Sequence, residues 1–378
     1  MHAELPAPGS DEIAHSERLA ALIRGEISRA GGALDFARYM ELALYAPGLG
    51  YYSAGATKFG RAGDFVTAPE LGFVFARCLA RAVALRLREV SGDDIVEIGP
   101  GSGALAAEML LELERLDALP ERYRMLERSA DLRARQRETL ERRCPHLLAR
   151  LDWLDAPPAQ AWRGVLVANE VIDALPVRLF ALRDAGVFTR AVALDAAGDF
   201  CWREVVADAA LHEALAPHAD ALAHVPRPYV SEVCALLAPW LAEVTRALEC
   251  GYALFVDYGY AHDEYYAAAR HTGTLRCHYR HRAHDDPLIL VGLQDITAWV
   301  DFDALARAGA QAGLEVRSHA TQARFLIEHG LDEVFADAYS DSSGEARRYA
   351  LAQEVKRLTL PGEMGERFRV MELHRGGA

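Results

Sequence analysis

The sequence has no excess of basic residues, no close cysteine pair and no long apolar run, and each absence closes off a class of function. Acidic residues outnumber lysine and arginine 55 to 41, giving a formal net charge of −14. The basic surface that nucleic-acid phosphates demand is therefore missing. Such a charge is compatible with cationic substrates, but solubility alone accounts for it more often. Cys78, Cys144, Cys201, Cys234, Cys250 and Cys277 include no C-x-x-C pair. That scatter suggests reduced thiols rather than a disulfide framework or a zinc ribbon. No apolar stretch approaches the roughly 20 residues that span a bilayer. Residues 1–10 show no basic segment followed by an apolar one, so neither a signal peptide nor a mitochondrial presequence is evident. The expectation is a soluble cytoplasmic protein.

What is present is an ordinary globular balance, 51% apolar over 378 residues, enough for one enlarged α/β domain or two lobes. Its organising stretch is Ile95-Val96-Glu97-Ile98-Gly99-Pro100-Gly101-Ser102-Gly103-Ala104-Leu105. A β-branched run enters a glycine-rich turn and a helical pattern leaves it, the first strand–turn–helix of a nucleotide-type α/β domain. Two readings fit. Gly99, Gly101 and Ala104 satisfy the relaxed dinucleotide pattern G-x-G-x-x-A. Glu97 with Gly99, Gly101 and Gly103 gives E-x-G-x-G-x-G, the form usual in methyltransferases that bind S-adenosylmethionine. Pro100 deletes an N–H donor from the loop and Glu97 adds a negative charge beside it. Both disfavour a pyrophosphate and suit a cationic sulfonium cofactor.

Hydrophobic patterning predicts strands at Ile95–Ile98, Tyr123–Leu126, Leu148–Leu151, Gly164–Ala168 and Tyr252–Val256, with helices at Ala104–Leu116 and Ala130–Arg143. That alternation implies a Rossmann-like α/β core, a mostly parallel sheet with helices on both faces. Residues 1–90 read as an N-terminal helical extension and cofactor-covering segment. Its helices are expected from Ser10 to Gly31, at Asp35–Leu44, and from Thr67 to about Arg88. Thr67 and Glu70 have capping-box spacing, with Pro69 in the first turn. The core is expected to occupy residues 91–176 and 250–378. Residues 177–249 form an insertion: a β-meander over Val177–Val206, then helices near Ala209–Leu222 and Ser231–Leu248. The polar stretch Tyr260–Trp299 has the length of a lid or binding segment. A helix Phe302–Ala312, a strand Leu314–Ser318, helical segments to about Leu358 and a strand Phe368–Leu373 follow.

In an open α/β sheet the ligand lies beyond the carboxyl ends of the strands. Glu97 and Glu127 end the first two, and Asp152 follows the third. Glu127, 24 residues past Gly103, stands where an acid grips ribose hydroxyls. Asn169, Glu170 and Asp173 follow the fourth strand, where a methyl acceptor would meet the sulfonium. A guanidinium suits that position. A carboxylate clamps its planar N–H fork bidentately, orients the nitrogen lone pair and offers a route for the departing proton. Asp173 alternatively caps the next helix. The group His271, Cys277, His278, His281, His284, Asp285 and Asp286 has metal-binding composition. Its spacing matches no common zinc pattern and Arg276, Arg280 and Arg282 alternate through it, so a lid or partner-contacting loop without metal is expected.

Gly63-Asp64-Phe65-Val66-Thr67-Ala68-Pro69-Glu70, Glu97–Gly103, Asn169-Glu170 with Asp173-Ala174-Leu175-Pro176, and Asp257-Tyr258-Gly259 resemble the MidA-like family. Gly273-Thr274-Leu275-Arg276, Gln294-Asp295-Ile296-Thr297 and Met364-Gly365-Glu366-Arg367-Phe368 do so too. The resemblance implies a class I methyltransferase dependent on S-adenosyl-L-methionine. The family's mitochondrial members are protein arginine methyltransferases that act on a subunit of respiratory complex I and promote its assembly. The family's cofactor residues carry over onto Gly99, Gly101, Gly103 and Glu127, and Ser102 lies among them. The segment holding Asp64, Thr67 and Pro69 becomes a pocket wall. Trp299 departs from the pattern, standing where many members have His. The expectation is methyl transfer to a protein arginine, with Glu170, Asn169 and Asp173 orienting the acceptor and Glu97 and the glycines on the methionine side. A small-molecule methyltransferase and a catalytically silent cofactor-binding assembly factor are the alternatives; an NAD(P) oxidoreductase is disfavoured by Pro100.

Overall fold

The computed structural model describes residues 5–53 and 68–377. The chain divides into two compact units, each threaded three times. One gathers Val66–Ile172, Ala238–Gly259 and Phe302–Ala378; the other gathers Met1–Phe65, Asp173–Leu237 and Tyr260–Asp301. No helix among the described residues is long and apolar enough to cross a membrane.

The first unit is built on seven strands in the order Glu315–Thr321, Phe368–Arg375, Leu248–Tyr260, Trp162–Asn169, Asp94–Ile98, Arg122–Leu126 and Leu151–Leu154. All run parallel except Phe368–Arg375, which opposes both its neighbours. Asp94–Ile98 is buried along its whole length, as an unbroken β-branched run requires of a central parallel strand. Alternation along Leu248–Tyr260 shows that helices cover both faces. Cys250, Tyr252, Leu254 and Val256 join the apolar cluster of Phe75, Leu79 and Val83 from the helix Val74–Val90. Phe255 instead meets Trp240 of the helix Leu237–Thr245, ring centroids 6.1 Å apart. This is the Rossmann-like arrangement that the sequence predicts.

Register then sets the working edge. Ile98 pairs with Leu126 on one side and Ala168 on the other, and Asn169 pairs with Val256. Gly99, Glu127 and Asn169 consequently emerge together at the carboxyl ends of three adjacent strands, beside Val256 and Asp257 of the fourth.

Two elements of this unit depart from expectation. Leu148–Leu151 is not a strand: the 3-10 turn Pro145–Arg150 occupies that stretch and the strand follows at Leu151–Leu154. Pro145 presets φ for the turn, and Leu147 N donates to Cys144 O at 3.0 Å. The single helix expected from Thr67 is two, Ala68–Leu71 and Val74–Val90. A Cβ on Gly72 would lie 2.0 Å from Glu354 Oε2, while Val74 N donates to Glu354 Oε1 at 2.7 Å. The break admits a carboxylate from the helix Glu345–Thr359, which satisfies an orphan donor at the second helix's start. Asp64 and Thr67, and with them half of the expected capping box, lie outside the described residues, as do the side chains of Pro69 and Glu70.

The second unit carries an antiparallel sheet of Ala33–Leu34, Gly186–Leu194, Arg178–Arg183 and Tyr229–Val233, with Phe200–Val206 paired to Gly186–Leu194. The expected meander is therefore present. The helix expected at Ser231–Leu248 is instead the strand Tyr229–Val233 followed by Leu237–Thr245. Val230 and Val233 are β-branched, and the strand pairs along Arg178–Arg183. Helices Ser10–Arg29 and Phe36–Tyr45 pack in this unit through Leu19, Ile23, Ile27, Phe36 and Tyr39. Gly9, not Ser10, is the N-cap of the first helix, with its N–H donating to Glu12 Oε2 at 2.6 Å. The Tyr260–Trp299 stretch holds a three-stranded sheet of Arg282–His284, Arg276–Tyr279 and Asp295–Thr297.

Candidate active site

The glycine loop takes a shape that only glycine adopts cheaply, with φ of 63°, 53° and 80° at Gly99, Gly101 and Gly103. Gly99 N donates to Leu126 O at 3.2 Å and Gly103 N to Pro100 O at 2.8 Å, closing the loop over the strand ends. A Cβ on Gly103 would sit 3.2 Å from Gln136 Cα, so the loop also packs tightly on the helix Ala130–Arg143. Ser102 is half-buried within it.

Glu127 follows the adjacent strand. Its Oε1 accepts from Ser129 N at 2.8 Å and its Oε2 from Gln136 Nε2 at 3.3 Å. Burial pushes its carboxyl up from the usual range, and these donors pull the other way. Gln136 is the residue that sequence reasoning missed. Fully buried, it also donates to Gly101 O at 3.0 Å and accepts from Trp153 Nε1 at 2.9 Å. One amide thus ties the glycine loop, the acid and the third strand together. The signal was available: Leu132, Gln136, Thr139 and Leu140 form the buried stripe of their helix, and a glutamine in such a stripe needs partners.

At the fourth strand Asn169 is the last residue and Glu170 takes φ 52°, a left-handed conformation that costs a residue with a side chain. Glu170 N donates to Val256 O at 2.8 Å. Asp257, 1% exposed, accepts from Ile172 N at 3.1 Å and Tyr258 N at 2.9 Å, fastening the turn from both sides. Asn169 Nδ2 donates to Glu170 Oε1 at 3.2 Å. Its Oδ1 is buried without a hydrogen-bond partner among the described residues, the kind of atom a ligand donor would satisfy.

Glu97 and Asp152, also expected in the site, are placed elsewhere. Glu97 lies in the core, 2% exposed, where Tyr123 Oη donates to Glu97 Oε2 at 2.8 Å. Burial pushes its carboxyl up to about 7, against the pull of that hydrogen bond. Asp152 is not at the carboxyl edge. It pairs in register with Arg124 and lies 3.9 Å from Arg122, the first residue of its strand, so it sits toward the amino end. The misplaced third strand caused that error, and the acid after the true strand is Asp155, ion-paired with Arg133 at 2.6 Å. Asp173 falls in the second unit, its carbonyl accepting from Ala298 N at 2.9 Å. Burial raises the Tyr52 hydroxyl's pKa, and the charges of Asp295 and Asp173 push the same way. Of the His271–Asp286 group, Cys277, His278 and His284 lie in the three-stranded sheet, where burial pushes His278 down to about 4, and Arg276 pairs with Asp285.

The first unit therefore brings together a bare-backbone loop, a half-buried carboxylate, an unsatisfied amide oxygen and a strained acid at one sheet edge. These residues fit a ligand with a cationic amino-acid end and a vicinal diol. A family model described as S-adenosyl-L-methionine-dependent methyltransferase matches residues 78–320. A superfamily member from Burkholderia thailandensis, crystallised with S-adenosyl-homocysteine, is 45% identical and superposes with a TM-score of 0.93 over 99% of this chain and 96% of that one. Among curated proteins, the mitochondrial protein arginine methyltransferase NDUFAF7 of Mus musculus is 28% identical over 96% of this chain and 86% of its own. Its Drosophila melanogaster homolog is 27% identical over 99% and 88%. These relatives are named as mitochondrial, which overturns the expectation of a cytoplasmic protein drawn from the missing presequence signal.

Proposed function

The chain belongs to the MidA-like family of S-adenosyl-L-methionine-dependent methyltransferases, and from that premise we propose that its acceptor is an arginine side chain of a protein. It is an enzyme, and S-adenosyl-L-methionine is its cofactor. The cofactor supplies an electrophilic methyl group on a positively charged sulfur. In this reading Glu127 accepts hydrogen bonds from the ribose hydroxyls, and Gln136 and Ser129 hold it in place. The bare backbone of Gly99, Gly101 and Gly103, with Ser102 between, admits the amino-acid end, and Asn169 Oδ1 accepts from its ammonium. Glu170 binds the guanidinium N–H groups, turns one nitrogen toward the methyl carbon and takes the proton that this nitrogen loses once methylated. The observation that carries the proposal is the left-handed Glu170, kept strained beside an unsatisfied Asn169 oxygen; such strain persists where function needs the geometry.

The name of the mouse relative, a protein arginine methyltransferase, supports the acceptor class. A subunit of respiratory complex I is the candidate substrate, on the family resemblance. Transfer of radiolabelled methyl into lysate protein, wild type against Glu170→Gln, tests the reading. The expected result is label in a discrete protein band, released as methylarginine on hydrolysis, and at least 100-fold weaker in the variant. Label confined to small molecules sinks the protein acceptor, and cofactor binding with no label anywhere sinks catalysis.

A further inference from the structure

Three polar side chains from distant segments converge inside the second unit. His218 closes the 3-10 turn Ala216–His218, His262 opens the short helix His262–Tyr265, and Asp301 ends the strand Val300–Asp301. His262 Nδ1 lies 2.9 Å from Asp301 Oδ2, and His218 Nδ1 lies 3.6 Å from the same oxygen. The two imidazoles stack with centroids 5.0 Å apart, and the Tyr266 ring stands edge-on to both, at 5.1 and 5.3 Å. One donor atom from each residue lies within 4.8 Å of the other two, and no second such group of His, Cys, Asp and Glu occurs among the described residues.

We propose that His218, His262 and Asp301 form a site for a divalent first-row transition-metal cation, zinc being the simplest occupant. Two imidazoles and a carboxylate are a borderline nitrogen and oxygen donor set that such ions accept. Metal–ligand bonds of about 2.1 Å in a tetrahedron place neighbouring ligand atoms about 3.4 Å apart. The His218–Asp301 separation of 3.6 Å is close to that edge and too long for a good hydrogen bond. The His262–Asp301 contact of 2.9 Å has to open by about half an ångström. His262 stands half-buried at the start of a four-residue helix, where a small ring movement is inexpensive. A single imidazole would satisfy a buried aspartate. Metal ligation accounts for the second imidazole, brought to the same oxygen from 44 residues earlier in the chain. Ligation through His262 Nδ1 needs that nitrogen's lone pair, so in the bound state the ring proton sits on Nε2. The cation would cross-link the Ala209–Ala223 helical stretch, the segment after Tyr260 and the strand at Asp301.

The test uses the full chain, stripped with EDTA, passed through gel filtration and titrated with Zn²⁺. The expected result is one equivalent of bound zinc by atomic emission, a rise in melting temperature, and at least 100-fold weaker binding in His262→Ala and His218→Ala. Asp301→Asn, which keeps the volume, should weaken binding equally and covers the case in which an alanine variant fails to fold. Co²⁺ substitution should give d–d absorption without a thiolate charge-transfer band, since six free cysteines are the competing ligands. Less than half an equivalent of zinc, a thiolate band, or undiminished binding in a folded variant overturns the proposal. Binding of S-adenosyl-homocysteine, measured in parallel, reports on the first unit alone and keeps this outcome separate from that of the methyl-transfer experiment.

Discussion

Replacing Gln136 by leucine keeps most of its volume while removing an amide that serves three partners. Gly101 O loses its donor, Trp153 Nε1 its acceptor, and the Glu127 carboxylate its Oε2 donor, keeping Ser129 N on Oε1. An unsatisfied buried group costs about 1–3 kcal/mol. Gly101 and Trp153 are half-buried, so water replaces part of the loss and the low end applies to both. Together with a weakened carboxylate, the expected destabilisation is about 3 kcal/mol. Freed glycine-loop and acid positions should also weaken S-adenosyl-homocysteine binding about 10-fold, or roughly 1.4 kcal/mol. The pH dependence provides a sharper test. Burial raises the Glu127 carboxyl's pKa and Gln136 lowers it, so the variant's acid titrates at higher pH than the wild type's. The proposed ribose contact uses the ionised carboxylate as acceptor, so on that proposal affinity is present above this pKa and lost as pH falls through it. The loss should therefore begin at higher pH in Gln136→Leu. Calorimetric titration of S-adenosyl-homocysteine between about pH 5 and 8 measures both effects. Thr139→Val, on the same buried stripe, is the control and should bind within about twofold of wild type. A folded Gln136→Leu protein with wild-type affinity at every pH would refute the bridging role.

Two further outcomes concern stability. The Glu97 carboxyl's pKa is raised from 4.5 to about 7, so the folded state retains a proton that the unfolded state gives up. Its cost accrues as pH rises from about 4.5 to about 7, reaching about 3 kcal/mol above that window. Glu97→Gln, which still offers Tyr123 an acceptor, should match wild type near pH 4 and exceed its stability at pH 8; urea unfolding at both values checks this. At Gly164, φ is 148° and a Cβ would lie 1.9 Å from Asp94 O, so Gly164→Ala forces apart two central strands. A loss of more than about 4 kcal/mol in thermal or denaturant unfolding is expected, and a loss under about 1 kcal/mol would refute the close backbone approach.

The glycine loop, Glu127 and the mostly parallel core were legible because each is a local signal: a β-branched run, three glycines, a helix start and an acid closing the next strand. Asp152 is misplaced because Leu148–Leu151 reads as a strand, whereas Pro145 has already begun a turn. The Ser231 helix failed similarly, since pairing with Arg178–Arg183 outweighed local propensity. Gln136 required knowing which side of its helix faced the loop. The convergence of His218, His262 and Asp301 depends on contacts between segments some 40 residues apart, and no spacing rule announces it.

The antiparallel strand Phe368–Arg375 also governs the order of assembly. Tyr258 pairs with Phe368, so about 110 residues are synthesised between the two sides of that ladder. At 5–20 residues per second the apolar edge of Leu254 and Val256 waits roughly 5–20 s for its partner. The sheet thus closes from the middle outward and finishes with a strand slotted between two already made. During that interval the nascent chain presents an unpaired strand edge, a consequence of this topology rather than of any single residue.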